Sequence, residues 1–293
     1  GLITHSRSVH DPNIPLLCWY GIEPLIEVDA GKALELMNKT PWPELKDFIT
    51  RRAATVANGR SAILSSLSNA NNPDEYFKRA QQLLTALDSL PPVEKPEGWE
   101  AAREKGNKLA SKKPELGNLI SRLGTRFGDS SFFPHWRSIV HNGKSGAPQR
   151  IEAMEILTLG NDPELGEMAR EVLDTPPLRA AAIQALRKHP GPDTATAIVS
   201  RIDQFPVKLR NEAINFLSTR EDMALILLEA VDRKEVPSSL LSTVMLDQFG
   251  RYKNEKIDEI IQANWTMGSG GIDIARLTAA VNDWKKKLSP QIL

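Results

Sequence analysis

A short phrase, Arg-x-x-Ala-(Met/Ile)-x-x-Leu, recurs three times in this chain, and it constrains the fold more than any other feature. It is carried by Arg150/Ala153/Met154/Leu157, by Arg179/Ala182/Ile183/Leu186 and by Arg210/Ala213/Ile214/Leu217. The starts lie 29 and 31 residues apart. The apolar positions of each copy share one helix face, and a second short amphipathic segment follows. Two helices per unit at a fixed period is the mark of an α-solenoid. Such a pair cannot bury its apolar face alone and must stack on its neighbours.

Each unit carries its own punctuation. The first opens at Pro148, turns at Gly160-Asn161 and restarts at Asp162-Pro163, with Asp expected as N-cap and Pro at the first helical position. The second starts at Pro176-Pro177 and breaks at His189-Pro190-Gly191-Pro192, with Asp193 expected to cap its partner helix. The third starts at Pro206, and Ser218-x-x-Glu221 reads as a capping box. A fourth unit is degenerate: it keeps an apolar stripe at Leu240, Leu241, Val244 and Leu246, then at Ile257, Ile260 and Ile261, but loses the Arg.

The first half predicts helices near 14–27, 30–39, 43–57, 60–68, 73–90, 97–110, 114–127 and 132–142. Asp29 and Asn72-Pro73 are expected helix starts there. No window alternates with period two, so no sheet is expected. The domain reading is a flexible segment at 1–10 with Gly1 as a tag scar, irregular helical pairs at 11–147, repeats at 148–265 and a capping helix at 266–293. Together they form one continuous solenoid.

Composition narrows the function. Lys plus Arg and Asp plus Glu are balanced at 37 each, so no large net field recruits nucleic acid or an anionic membrane. No run of 18 or more apolar residues is present, so direct membrane insertion is not expected. Cys18 is the single cysteine, which excludes an internal disulfide, a thiolate zinc cluster and C-x-x-C-H haem attachment in this chain.

The candidate chemistry is thin. Asn142-Gly143-Lys144-Ser145-Gly146 resembles a phosphate loop, but Ser138 stands where the first Gly is required, and a helix precedes it instead of a strand. His5 with His10-Asp11 could hold a metal, but the segment reads as flexible and offers no partners to orient the ligands, while His135 and His141 fall on different helix faces and His189 sits at a helix end. No G-x-S-x-G or H-E-x-x-H is present. No catalytic residue, cofactor or metal is therefore assigned. The recurrent Arg150, Arg179 and Arg210 could read phosphates, yet polar residues repeated at one solenoid register more often bond to carboxylates or loop carbonyls of the adjacent unit. They are assigned as inter-repeat structural residues. Trp42, between Pro41 and Pro43, is the tryptophan expected at a contact surface.

The phrase Leu178-Arg-Ala-Ala-Ala-Ile-Gln-Ala-Leu186 and the period resemble HEAT repeats over roughly 148–265. The N-terminal phrase His10-Asp-Pro-Asn-Ile-Pro-Leu-Leu-Cys-Trp-Tyr-Gly-Ile-Glu-Pro24 resembles the opening of the helical region of large planctomycete and verrucomicrobial proteins labelled membrane-bound dehydrogenase or haem-binding. In those proteins a β-propeller precedes the helices and a cytochrome c domain follows. The resemblance implies a middle piece of an exported redox protein, whose chemistry lies in other domains. Within the phrase, Asp11 and Pro12 are expected to start the first helix, and Ile14, Leu17, Trp19 and Ile22 to pack it. Pro15 and Pro24 are expected at or near its ends, and Glu23 lies one turn after Trp19. This segment either caps the solenoid or docks the preceding domain, and Trp19 and Glu23 are its candidate interaction residues.

The resulting expectation is an all-α, right-handed α-α superhelix of HEAT or armadillo type. It acts as a non-catalytic scaffold whose partner is protein, either a neighbouring domain or a separate chain. The rivals are a nucleic-acid binder resembling the alkylpurine DNA glycosylases and a haem- or bilin-transfer accessory resembling bilin lyases.

Overall fold

The computed structural model describes residues 13–266. The expectations for Gly1, His5, His10, Asp11, Pro12 and the capping helix at 266–293 lie outside the described residues or at their edge. Every regular element among those described is helical, and the fold is all-α. The chain divides into two compact units, Gly1–Pro163 and Glu164–Leu293. The division falls between the two helices of the first repeat.

The first unit contains α1 (Ile14–Val28), α2 (Ala30–Lys39), α3 (Pro43–Thr55), α4 (Ala57–Ser68), α5 (Pro73–Asp88), α6 (Trp99–Ala110), α7 (Glu115–Arg126), α8 (Phe133–His141) and α9 (Ala147–Leu159). The helices expected over this half all form, with ends within three residues of their predicted bounds. Local chemistry sets several of those ends. Asp29 accepts from the Lys32 amide at 2.9 Å and turns α1 into α2 through a single residue. Asn72 accepts from the Glu75 amide at 2.9 Å, with Pro73 at the first turn of α5. Gly98 starts α6 at φ +88°, where a side chain would be strained.

Helices α1, α3, α5, α7 and α9 pack each on the next as one layer, and α2, α4 and α6 form a second. Trp42, Tyr76, Trp99 and Phe127 fill the space between them, each 1% exposed or less. Burying a side chain of this size stabilises the unit by roughly 1.5–3 kcal/mol. Glycines permit several close approaches. A Cβ on Gly59 would stand 2.3 Å from the Ala53 carbonyl oxygen, and one on Gly106 would stand 2.6 Å from the Tyr76 hydroxyl.

The second unit contains α10 (Leu165–Glu171), α11 (Arg179–Leu186), α12 (Pro192–Val199), α13 (Val207–Leu217), α14 (Glu221–Asp232), α15 (Thr243–Gly250) and α16 (Glu255–Ile261). Here α10, α12, α14 and α16 stack one on the next. The apolar residues of the three recurring phrases, which lie on α9, α11 and α13, are all 1% exposed or less. The repeat is therefore a core signal.

Several local expectations are corrected. Helix α10 begins at Leu165, not at Asp162-Pro163, because the Asp162 carboxylate is fully buried against Arg137. Asp193 lies inside the first turn of α12, whose N-cap is Gly191. Ser218 ends α13 and is no capping box: its hydroxyl donates to the Asn215 carbonyl at 2.8 Å, and Arg220 stands at the N-cap of α14. Val244 faces out at 73% exposed, and Phe249, with no exposure, supplies the core of α15. Pro24 lies inside α1, where its ring leaves the Tyr20 carbonyl without a helical donor. Leu17 does not pack α1 but stands 67% exposed.

Candidate interaction surface

Helix α1 is the outermost helix of its layer among the described residues, and its sides differ. Ile22 and Ile26 face inward, at 7% and 0% exposed. Leu16, Leu17, Tyr20 and Val28 face outward, with Val28 reaching 84%. These four sit at helical spacing with Gly21 and Pro24, so the outer side is an almost uncharged stripe. Isolated exposed leucines are ordinary, but a contiguous stripe is the kind of surface that partners cover.

Trp19 and Glu23 lie on the flank of α1 that meets α3. The Trp19 ring packs against Phe48, with centroids 5.8 Å apart and a 40° tilt. Glu23 is 3.6 Å from the Arg52 Nε, and Arg52 also pairs with Glu27. Arg52 thus ties two turns of α1 to α3. Both carboxylates are partly exposed, which limits the energetic value of the pairs. Beside Trp19 opens a cleft of about 260 Å³, walled by Phe48, Arg51 and Thr55 of α3 and by Ala86, Ser89 and Leu90 at the end of α5. A smaller hollow of about 120 Å³ continues it between the same helices, from Arg51 to Asp47, Gln81 and Gln82. Lys46 adjoins Asp47 along α3, and burial, and then the Lys78 charge, lower its pKa.

Trp42 is not at this surface. It is fully buried, because Pro43 starts α3 immediately after it and turns the indole under the helix. Its position between two prolines signalled a helix start, not an exposed loop.

Comparison of the chain with protein-family models, with curated proteins and with solved structures finds no match.

The arginines all bond backbone carbonyls, most of them at or just past the end of a helix. Arg150 donates from Nε to the Val140 carbonyl at 2.7 Å, near the end of α8. Arg179 reaches the Leu173 carbonyl at 2.9 Å, just after α10, and the Gln204 carbonyl at 2.8 Å, just after α12. Arg210 donates to the Phe205 carbonyl at 3.0 Å. Arg60 and Arg79, which no pattern singled out, do the same for Ala54 on α3 and Ser66 on α4, at 2.8 and 2.9 Å. The last carbonyls of a helix lack intrahelical donors and carry the negative end of its dipole, and a guanidinium answers both needs. Arg150, Arg60 and Arg79 serve carbonyls in the last turn of a helix, whereas Arg179 and Arg210 serve carbonyls of the 3-10 turns and loop that follow α10 and α12.

Arg126 extends this to two helices at once. It is 3% exposed, at the end of α7, and donates to Leu87 at 2.6 Å, to Leu90, to Pro91 at 3.2 Å and to Leu159 at 3.3 Å. The first three lie at the end of α5 and just beyond it, and the last ends α9. Burial lowers the Arg126 pKa and the charge of Asp88 partly opposes this. Sequence reasoning missed it because Arg126 stands outside the recurring phrase.

Two buried carboxylates also join helices, Asp162, which the sequence reads as an N-cap, and Asp129, which no pattern singles out. Asp162 receives Arg137 through two guanidinium nitrogens, across 25 residues of sequence. Asp129 accepts from the Trp99 indole at 2.8 Å, from the Ser131 hydroxyl at 2.7 Å and from Arg103 at 3.1 Å. Burial alone would push its carboxyl up, but these hydrogen bonds and the Arg103 charge outweigh it and hold the pKa below the ordinary value. Each acid is occupied in joining helices.

Elsewhere, Asn142–Gly146 is the turn between α8 and α9, with the Lys144 amide donating to the Asn142 side chain at 3.0 Å. The His135 ring packs on Trp136 at 4.9 Å, and His189 packs so closely on Gly166 that a Cβ there would stand 2.9 Å away. Among the described residues no cluster of three or more His, Cys, Asp or Glu is placed to hold a metal, and no helix is long and apolar enough to cross a membrane.

Proposed function

We propose that this chain is a HEAT-like, right-handed superhelical scaffold that acts by holding other protein surfaces in register, and that the outer side of α1 is one of its docking faces. The observation that carries the reading is the uncovered stripe of Leu16, Leu17, Tyr20 and Val28 on the outermost helix of a stacked layer. The superhelix is supported by the second unit, where the second helices of successive repeats stack directly while α11, α13 and α15 meet one another more sparsely. Unequal spacing of two layers is what curves a solenoid. The resemblance of the N-terminal phrase makes the covering surface a preceding domain of an exported redox protein, with this chain as its helical spacer.

Reading the genetic frame beyond both ends tests the spacer role. A β-propeller pattern upstream and C-x-x-C-H downstream are expected; a frame without them retires it. The docking face is tested by hydrogen exchange. Amides of α1 should exchange more slowly when the natural flanking sequence is present than in the 293-residue chain, and equal rates would refute docking there.

A further inference from the structure

We propose that the trough between α3 and α5 binds an extended acidic peptide segment that ends in one apolar anchor side chain. This rests on the scaffold reading and names a second partner surface, distinct from the outer side of α1.

The two helices run side by side in matched register. Asp47, Thr50 and Arg51 share the smaller hollow with Gln81, Gln82, Thr85 and Ala86, and Arg51 and Thr55 share the larger with Ala86, Ser89 and Leu90. Lys46 to Thr55 spans about 14 Å at the rise of an α-helix, close to the length of four extended residues, about 13 Å. Along that length the chemistry changes in steps. Beyond one end stand Lys46, next to Asp47 along α3, and Lys78, one turn before Gln81 and Gln82 along α5, with no ion pair to either among the described residues. In the middle, Arg51 is exposed and belongs to both hollows, and among the described residues it has no ion-pair or hydrogen-bond partner. At the other end the Trp19 and Phe48 rings, with Leu90, make the apolar cleft of about 260 Å³.

The neighbouring arginine is already neutralised: Arg52 is held by Glu23 and Glu27. Among the described residues Arg51 therefore lines both hollows without a partner, and Lys46 and Lys78 adjoin the smaller one, while the only carboxylate lining either is Asp47. A carboxylate on Arg51 or between the lysines would gain a charge-assisted hydrogen bond. Gln81 and Gln82 each carry a donor and an acceptor, which suits an extended main chain. Asp47 disfavours a nucleic-acid backbone, which would place a phosphate at every step.

The test uses the full chain and two fluorescein-labelled octapeptides, one with a single Phe before a run of Asp and Glu and one with the order reversed, read by fluorescence anisotropy. One of the two should bind, and affinity should fall at least tenfold with Arg51→Glu and with Lys46→Glu/Lys78→Glu. Replacing the peptide Phe by Ser should weaken binding by a similar factor, whereas Lys144→Glu, on an exposed turn, should not change it. Circular dichroism of each variant verifies folding. Binding of neither peptide, indifference to Arg51→Glu, or tighter binding of a single-stranded oligonucleotide would overturn the proposal. Tyr20→Glu should leave peptide affinity unchanged while it disrupts docking on α1, so the two readings fail separately.

Discussion

Replacing Arg126 by alanine should destabilise the first unit more than its single position on a helix end suggests. Its guanidinium serves carbonyls at the C-termini of both α5 and α9, which flank α7 in the layer. A hydrogen bond to a charged group is worth about 1.5–3 kcal/mol net, and the contacts to Leu87 and Leu90 are the close pair. The Leu87 carbonyl keeps the Leu90 amide as a donor at 3.0 Å, and Pro91 is exposed, so water replaces part of what is lost. Release of the buried charge returns some desolvation cost. The balance is a loss of about 2–4 kcal/mol. With a urea dependence of roughly 2 kcal/mol per molar, the midpoint should fall by about 1–2 M. Tryptophan emission follows this unit through the buried Trp42, Trp99 and Trp136, and hydrogen exchange over 87–93 should quicken in native buffer. Arg126→Lys should recover only part of the loss, since an ammonium cannot fork to several carbonyls. A midpoint shift below about 0.3 M, with exchange over 87–93 unchanged, would refute the double-cap reasoning.

Other perturbations separate packing from propensity and charge. Gly117→Ala on α7, where a Cβ meets nothing within 4 Å, should stabilise by about 0.5–1 kcal/mol. Gly106→Ala on α6 should instead cost about 1–3 kcal/mol, because the new Cβ meets the Tyr76 hydroxyl and Ile120; equal effects in thermal melts would dismiss the close-approach argument. Asp162→Ala should cost about 2–4 kcal/mol, toward the low side for a broken buried pair because Arg137 is 20% exposed; a denaturation midpoint matching the parent chain would contradict this. The Asp129 carboxyl titrates below the ordinary range, so the unfolded chain takes up its proton first. Its contribution is therefore complete above the unfolded aspartate pKa and is lost as the pH falls through the folded value. The stability gap between the parent chain and Asp129→Asn should narrow on acidification, and a gap that widens would reverse the assignment.

The helices, most of their order and the buried faces of the repeats were legible in the sequence because they follow from local rules. Caps at Asp29 and Asn72, proline starts and a recurring Ala-apolar-Leu face act within one or two turns, and a linear reading sees them. The same logic misled where a local cue competed with a distant partner. Asp162 looks like an N-cap but is drawn to Arg137, and Ser218 looks like a capping box but ends α13. Trp42 looks like an exposed loop residue but is buried at the start of α3.

By itself the sequence determined an all-α chain, its repeating units and the recurrence of arginine, since periodicity and punctuation are properties of neighbours along the chain. Only the tertiary structure decided what those arginines hold, which acids are buried, and that α1 leaves Leu17, Tyr20 and Val28 uncovered. It also decided that α3 and α5 lie in matched register with Arg51 unneutralised between two hollows. Such facts depend on which helix end meets which side chain in space, in the cases of Asp162 and Arg126 across 25 and 39 residues of chain, a distance over which no spacing rule operates.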